Sequence, residues 1–137
     1  MSVAVTAKRF DYAVAVDRAG QMAAEGGAPV LLGDDWTPDH VLLAALARCT
    51  IKSLRYHAER AGMDSTAEAS ATGVITKRDE DGRYAFVEIG CALDVEIDPV
   101  PEDLSSLLHK AERDCFVGAS LTVKPHYRWR VNGKDFT

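Results

Sequence analysis

One uninterrupted stretch, residues 37–62, is typical of a long helix and limits the folds that the chain can adopt. Thr37 is suited to the N-cap, and Pro38 to the first helical position, where a backbone N–H has no partner within the helix. Asp39 adds a carboxylate in the first turn, at the positive end of the helix dipole. Gly62 is placed just after the helix, for the left-handed conformation. At 1.5 Å per residue the helix is roughly 37 Å long, more than a small domain needs for a surface helix.

The two halves of this helix differ in polarity. Residues 41–47 are apolar on every side, which predicts that this half is buried all round. The second half is amphipathic, with four charged side chains that can meet water (Lys52, Arg55, Glu59 and Arg60). A sheet in a chain of this size covers only one side of a helix. We therefore expect a second copy of the chain to cover the rest, in a homodimer.

Length, charge and cysteine content restrict the class of protein. The chain has 137 residues, so we expect a single domain over residues 1–137. Its net charge of −5 argues against a nucleic-acid partner, and no apolar run approaches the roughly 20 residues that cross a membrane. The first residues lack the pattern of a signal peptide, and three cysteines are an odd number for a secreted disulfide framework. We therefore expect a cytoplasmic protein with no membrane partner.

Before the long helix, the pattern predicts a hairpin. Residues 3–17 carry two short strand-like runs, and residues 10–16 alternate with the period of two that is typical of a strand. A turn is expected at residues 17–20, where Gly20 can take a positive φ. Residues 21–25 are then the return strand, and residues 28–36 are expected to form a loop.

After the long helix, the pattern predicts two strands, a helix and a last strand. The two strands cover residues 67–77 and 84–97 and are joined by a turn at residues 79–82. The second of them places six apolar side chains on one face (Val87, Ile89, Cys91, Leu93, Val95 and Ile97). A helix is expected from about residue 101 to residue 114, and an amphipathic strand over residues 121–131, with Tyr127 and three other apolar side chains on one face. Antiparallel hairpins with two helices indicate the α+β class.

The three cysteines are the candidate reactive groups, and each also has a structural interpretation. Cys91 shares a strand face with aliphatic side chains, which favours a packed core thiol. Cys49 lies in the long helix near Arg48 and Lys52, whose positive charge favours the thiolate, although its spacing also fits a core residue. Cys115 lies at the end of the second helix, where packing and reactivity are equally open. The four histidines have no metal-ligand spacing, so no metal site is expected.

Residues 37–49, TPDHVLLAALARC, resemble the OsmC/Ohr family of thiol peroxidases, whose helix motif is P-E-x-L-[small/apolar]-A-A-x-x-x-C. Residues 111–115, AERDC, are similar to the region of the family's second cysteine. The order of predicted strands and helices also agrees over nearly the whole chain. The resemblance implies an OsmC-like α+β fold, in which antiparallel sheets wrap around central helices in an intertwined homodimer.

For function, the resemblance implies a hydroperoxide reductase that converts organic hydroperoxides to alcohols. Cys49 resembles the peroxidatic cysteine, which forms a sulfenic acid, and Cys115 the resolving cysteine, which closes a Cys49–Cys115 disulfide. An external dithiol of the dihydrolipoamide type, free or on a lipoylated protein, then reduces the disulfide, and no bound cofactor is implied. Arg18 resembles the arginine that holds the thiolate, and Asp39 resembles the acidic residue that orients this arginine.

Three positions depart from the family pattern. Asp39 is one methylene shorter than the usual Glu, Phe116 stands in place of a Pro, and Arg48 replaces a small residue before the first cysteine. These departures favour the alternative function, a redox-sensing or small-ligand-binding protein of the same family without efficient turnover.

The spacing of the implied site residues predicts a site shared between two chains. Asp39 and Cys49 are about 15 Å apart along a continuous helix, which is too far for one site within one chain. A composite site resolves this, with Asp39 and Arg18 of one copy facing Cys49 of the other copy.

Overall fold

The computed structural model describes residues 7–136 of the chain. They form two compact units, one that extends to Thr37 and one that starts at Pro38. The first of the two strand-like runs expected in residues 3–17 begins outside the described residues. Each unit is built around its own sheet, and the order of helices and strands is that of a mixed α+β protein.

The first unit is a three-stranded antiparallel sheet in the order β1-β2-β3. Its strands are β1 (Val14–Val16), β2 (Gln21–Ala24) and β3 (Val30–Leu31). The predicted hairpin is confirmed: the Asp17 carboxylate accepts hydrogen bonds from the amides of Ala19 and Gln21 at 2.9 Å, and Gly20 has a φ of 85°. β3 lies where a loop was expected, because a strand of two residues is too short to show a period.

The second unit contains the helices and a four-stranded sheet in the order β4-β5-β6-β7. Its elements are α1 (Pro38–Arg60), β4 (Asp64–Lys77), β5 (Tyr84–Asp98), α2 (Leu104–Arg113), α3 (Phe116–Ser120), β6 (His126–Val131) and β7 (Lys134–Phe136). β5 and β6 pair in parallel, and the other two pairs are antiparallel. A parallel pair needs a long crossover, and here α2 and α3 provide it.

The long helix and the two strands that follow it are confirmed, as is the left-handed Gly62, with a φ of 79°. The second helix starts three residues later than expected, because the Asp103 side chain caps it by accepting a hydrogen bond from the Ser106 amide at 3.0 Å. The last long strand starts at His126 rather than Leu121, directly after Pro125, which has no N–H for a ladder. α3 and β7 have five and three residues and are too short to show a periodic pattern, so they were not predicted.

A β-bulge changes the face of one predicted core residue. The register passes from Val74 opposite Glu88 to Ile75 opposite Phe86, so Val87 is an extra residue in β5. Val87 is exposed, whereas Phe86 packs against the core. The prediction that Val87 shares the buried face was therefore wrong, while the other five side chains of that face are buried.

The prediction that residues 41–47 are buried all round does not hold within one chain. Of this half of α1, Leu46 is buried and Ala44 is exposed, while Val41, Leu42 and Leu43 are half-buried. β4, α2 and α3 pack against α1 and leave part of its circumference uncovered. The second half is amphipathic as predicted, with four buried positions at helical spacing (Thr50, Ser53, Leu54 and Ala58).

Candidate functional site

Cys49 lies near the middle of α1, at the point where the apolar half of the helix changes to the amphipathic half. Its thiol is partly exposed, whereas the next residue, Thr50, is fully buried. The Thr50 hydroxyl donates a hydrogen bond of 2.9 Å to the carbonyl of Leu46, one turn earlier. α1 therefore presents one thiol at the surface and one hydroxyl to the interior at adjacent positions.

Cys115 joins α2 to α3 and has an exposed fraction of 0%. It is the N-cap of α3, and its sulfur accepts a hydrogen bond from the Gly118 amide at 3.4 Å. The same sulfur lies 3.5 Å from the Thr50 hydroxyl oxygen. Because the single proton of Thr50 is donated to Leu46, the Cys115 thiol is the donor to Thr50.

Two polar contacts fix the segment that leads to Cys115. His57 Nε2 of α1 lies 2.7 Å from Asp114 Oδ2, and the indole N–H of Trp129 donates to Glu112 Oε2 at 2.9 Å. The hydrogen bond from Arg113, aided by His57, lowers the pKa of Asp114 to about 2, so this carboxylate is ionised at neutral pH. The end of α2 is thus attached both to α1 and to β6, with Cys115 immediately after it.

The structure brings Cys49 and Cys115 together. Burial raises the pKa of the Cys49 thiol, and the neighbouring Cys115 raises it further, while the backbone amides of Val117 and Phe116 oppose the rise. The sulfur of Cys49 therefore lies against Cys115 and the first residues of α3. This is an arrangement in which two thiols of one chain can react with each other.

The expectation that Arg48 and Lys52 favour the Cys49 thiolate was wrong for the described chain. Both side chains are exposed, and the pKa of Cys49 is raised rather than lowered. An exposed cation is screened by water and contributes little beside a partly buried thiol. The charge that would stabilise a Cys49 thiolate has to come from another part of the protein.

Cys91 is a packed core thiol, as the strand pattern predicted. It is buried, and burial raises its pKa to about 11, so it is a neutral thiol at physiological pH. The sequence did not indicate its neighbours. The Thr50 hydroxyl of α1 and Cys115 both act on the Cys91 thiol, and Cys91 is opposite Tyr127 in the parallel pair of β5 and β6.

The other two residues of the predicted site, Arg18 and Asp39, are both exposed to solvent. Arg18 is at the exposed tip of the β1–β2 hairpin, between Asp17 and Ala19 of the turn. Asp39 is exposed in the first turn of α1. Because α1 is continuous from Pro38, Asp39 and Cys49 of one chain are separated by about 15 Å along the helix axis.

Two further observations concern the whole of the described chain. Residues 7–136 include no group of three or more His, Cys, Asp or Glu side chains arranged to hold a metal ion. None of the helices in this part of the chain has the length and apolar character needed to cross a membrane.

Comparison with known proteins identifies the family. The sequence model of the OsmC-like protein family matches residues 32–130, which contain both Cys49 and Cys115. The chain therefore belongs to the OsmC-like family, and the resemblance stated above is confirmed. A search of curated proteins found no match.

Solved structures have the same fold at low sequence identity. An OsmC-like protein of unknown function from Vibrio cholerae has a TM-score of 0.71 at 12% identity, covering 88% of this chain and 99% of the other. An OsmC-like protein from Mycoplasma pneumoniae has a TM-score of 0.65 at 14% identity, covering 90% and 97%. The organic hydroperoxide resistance protein OhrB of Bacillus subtilis has a TM-score of 0.52 at 18% identity, covering 89% and 96%. These similarities show an OsmC-like fold.

The packing of Cys91 predicts the effect of removing its sulfur. Cys91→Ala should lower the free energy of unfolding by about 1 kcal/mol or more, because it leaves a cavity in a buried position. Urea denaturation measures this change. Ser105→Ala, at an exposed position of α2, is the matched control and should change the value by about 0.5 kcal/mol or less. Equal unfolding midpoints for Cys91→Ala and the parent chain would contradict the packed role.

Proposed function

We propose that this protein is a thiol-dependent peroxidase that reduces organic hydroperoxides to alcohols. The observation that carries the proposal is the pair of thiols in one chain, with Cys49 partly exposed on α1 and Cys115 buried against it. Membership of the OsmC-like family supports a redox role, and three of the similar structures are organic hydroperoxide resistance proteins.

In the proposed reaction, the peroxide oxidises Cys49 first, and the disulfide with Cys115 forms in a second step. Its thiolate attacks the outer oxygen of R–O–OH, the O–O bond breaks, and the alkoxide leaves as the alcohol after taking a proton, which gives Cys49 sulfenic acid. The Cys115 sulfur then attacks the Cys49 sulfur, an S–S bond forms, and the hydroxyl leaves as water. An external dithiol of the dihydrolipoamide type, free or on a lipoylated protein, returns both cysteines to thiols and is itself oxidised to a disulfide.

The first step needs positive charge near Cys49. Burial and Cys115 raise the pKa of the Cys49 thiol, so little thiolate is present at neutral pH without a further group. A guanidinium stabilises both a thiolate and the charge that develops on the leaving oxygen. We assign this role to Arg18, and we assign to Asp39 the bidentate orientation of its guanidinium.

The approximately 15 Å between Asp39 and Cys49 along α1 favours a composite site, in which Arg18 and Asp39 face Cys49 of the partner subunit. Uncovered apolar surface supports such a homodimer. The described residues of the first unit expose seven large apolar side chains (Phe10, Tyr12, Val14, Val16, Val30, Leu31 and Trp36), and residues 41–47 of α1 are only partly covered. Exposed apolar surface of this extent is typical of an interface.

The surroundings of the thiols favour organic substrates. Phe116, directly after Cys115, is 59% exposed, and Val117 next to it is half-buried. Apolar side chains at the mouth of a site favour peroxides with apolar tails over hydrogen peroxide, since they bury the tail from water. Faster reduction of an organic hydroperoxide than of hydrogen peroxide would therefore distinguish this function from that of a general peroxidase.

The raised pKa of Cys49 favours one alternative, a redox-sensing or small-ligand-binding protein without efficient turnover. In such a protein the oxidised thiols are not efficiently returned to the reduced state, so each chain releases alcohol once and then stops. Continuous consumption of cumene hydroperoxide with dihydrolipoamide as reductant distinguishes the peroxidase from the sensor.

Replacement of the proposed nucleophile tests the peroxidase function. Cys49→Ser should abolish consumption of cumene hydroperoxide, because a serine hydroxyl is not ionised at neutral pH and cannot form a sulfenic acid. Cys91→Ala is the matched control and should retain turnover, since its thiol is buried in the core. A coupled assay that follows loss of the peroxide measures both variants, and retained turnover in Cys49→Ser would refute the assignment.

Peroxide should also join two particular cysteines. We expect one equivalent of cumene hydroperoxide to produce a reversible Cys49–Cys115 disulfide within one chain, which peptide mapping without reductant detects. In Cys115→Ser, oxidation should stop at the sulfenic acid of Cys49, which dimedone labels. A disulfide that contains Cys91, or one that joins two chains, would contradict this prediction.

The proposed assembly predicts a homodimer at micromolar concentration. Light scattering should give twice the mass of the 14.9 kDa chain, because the exposed apolar side chains of the first unit are then covered. Val14→Lys, at a position that is 69% exposed, places a charge in the proposed interface and should shift the protein towards monomers. A parent chain that is monomeric under the same conditions would falsify both the dimer and the composite site.

A further inference from the structure

The side chain of Tyr127 ends in a hydroxyl group that is buried beside Cys115. This oxygen has no hydrogen-bond partner among the residues that the structure describes. It is nevertheless close enough to Thr50 and Cys115 for both to influence its ionisation. A buried hydroxyl without a partner is uncommon and lowers the stability of the folded state. Polar groups of this kind are found where the group has a catalytic or redox role.

Gly118 shows how closely the tyrosine approaches the thiol. A β-carbon at position 118 would lie 2.7 Å from the Tyr127 hydroxyl and 3.5 Å from the Cys115 sulfur. Because Gly118 has no side chain, there is room for the Tyr127 hydroxyl near the Cys115 sulfur. β6 holds the ring there, with Trp129 stacked on it at a centroid distance of 6.5 Å.

Of the hydrogen-bond donors around Cys115, the Tyr127 hydroxyl forms no hydrogen bond among the described residues. Thr50 donates its proton to the Leu46 carbonyl and accepts from the Cys115 thiol. The amide of Gly118 donates to the Cys115 sulfur at 3.4 Å, a weak bond. Burial raises the pKa of Tyr127, so its hydroxyl stays protonated and can donate. This proton forms no hydrogen bond among the described residues, and a thiolate sulfur at position 115 would accept it more strongly than a thiol does.

The different exposure of the two sulfurs indicates when Cys115 needs the Tyr127 hydroxyl as a donor. In the Cys49–Cys115 disulfide, an external thiolate reaches the partly exposed Cys49 and not Cys115, which is fully buried. Attack on the Cys49 sulfur breaks the S–S bond and releases Cys115 as a thiolate inside the protein. The groups that face it are the Gly118 amide and the side chains of Cys49, Thr50, Cys91 and Tyr127, and none of them carries a positive charge. A buried anion is costly without hydrogen-bond donors.

We propose that Tyr127 is a further catalytic residue, whose hydroxyl donates a hydrogen bond to the Cys115 sulfur as it leaves in the reduction of the disulfide. The inference rests on the proposed function in that the Cys49–Cys115 disulfide is the oxidised state. The reductant thiolate forms a mixed disulfide with Cys49, and its second thiol then displaces Cys49. The two protons of the dithiol end on Cys49 and Cys115, and Tyr127 keeps its own proton throughout.

The experiment isolates reduction from peroxide chemistry. The disulfide is made with diamide, and its opening by dihydrolipoamide is followed in a stopped-flow instrument. Tyr127→Phe should open about tenfold more slowly or worse, the effect of one hydrogen bond to a charged group, while the first oxidation of Cys49 by cumene hydroperoxide keeps its rate. Tyr84→Phe, which removes a hydroxyl from a side chain that is 76% exposed, is the matched control and should open at the parent rate.

A graded donor separates this role from packing. 3-Fluorotyrosine at position 127 is a stronger hydrogen-bond donor of nearly the same size, and should open faster than the parent chain. The rate order Phe, Tyr, 3-fluorotyrosine is expected, and equal rates for all three would overturn the inference, as would failure of diamide to form the disulfide. If peroxide turnover is absent but this order is observed, the inference stands and the proposed peroxidase function fails.

Discussion

The contact of α1 with the buried Cys115 determines the arrangement of the redox region. Thr50 makes this contact through one hydroxyl, which donates to Leu46 within α1 and lies 3.5 Å from the Cys115 sulfur. Because Thr50 is buried on this side of α1, the adjacent Cys49 lies at the edge of the covered surface. His57 contacts Asp114 at 2.7 Å two turns further along and joins α1 to the end of α2.

Burial of the thiols helps one step of the proposed reaction, the reduction of the disulfide at a defined sulfur, and hinders another, the formation of the Cys49 thiolate. It hides Cys115 from solvent, so that the external reductant can attack only Cys49, and the direction of disulfide opening is defined. Burial also raises the pKa of the Cys49 thiol and so disfavours its thiolate, since a charge in a low-dielectric interior is costly. The described neighbours of Cys49 supply only the weak polarity of two backbone amides. In the proposed mechanism Arg18 therefore supplies charge to Cys49, and Tyr127 supplies a proton donor to Cys115.

The sequence predicted those features that repeat along the chain. The length of α1, the left-handed Gly62 after it, the alternation in β5 and β6, and the hairpin at Gly20 follow from local patterns, and the structure contains them. The bulge at Val87 was not predictable, because it depends on the register with β4 and not on the order of side chains in β5. The short elements α3 and β7 were missed for a similar reason, since tertiary contacts stabilise them. The incomplete cover of α1 also required the structure, since periodicity does not show how many neighbours a helix has.

Of the candidate site, the sequence indicated the thiols but not the hydroxyl groups between them. Cys49 and Cys115 are 66 positions apart in the sequence, and only the resemblance to the family implied that they act together. Tyr127 was identified only as an inward residue of an amphipathic strand, a position that is usually part of the core. Its relation to Cys115 depends on Gly118, where any side chain would occupy the space of the tyrosine hydroxyl. Gly118, Tyr127 and Thr50 surround one sulfur from three different elements, so substitutions among them should not be additive. A site of this kind follows from the packing of α1, α3 and β6, and no single segment of the sequence encodes it.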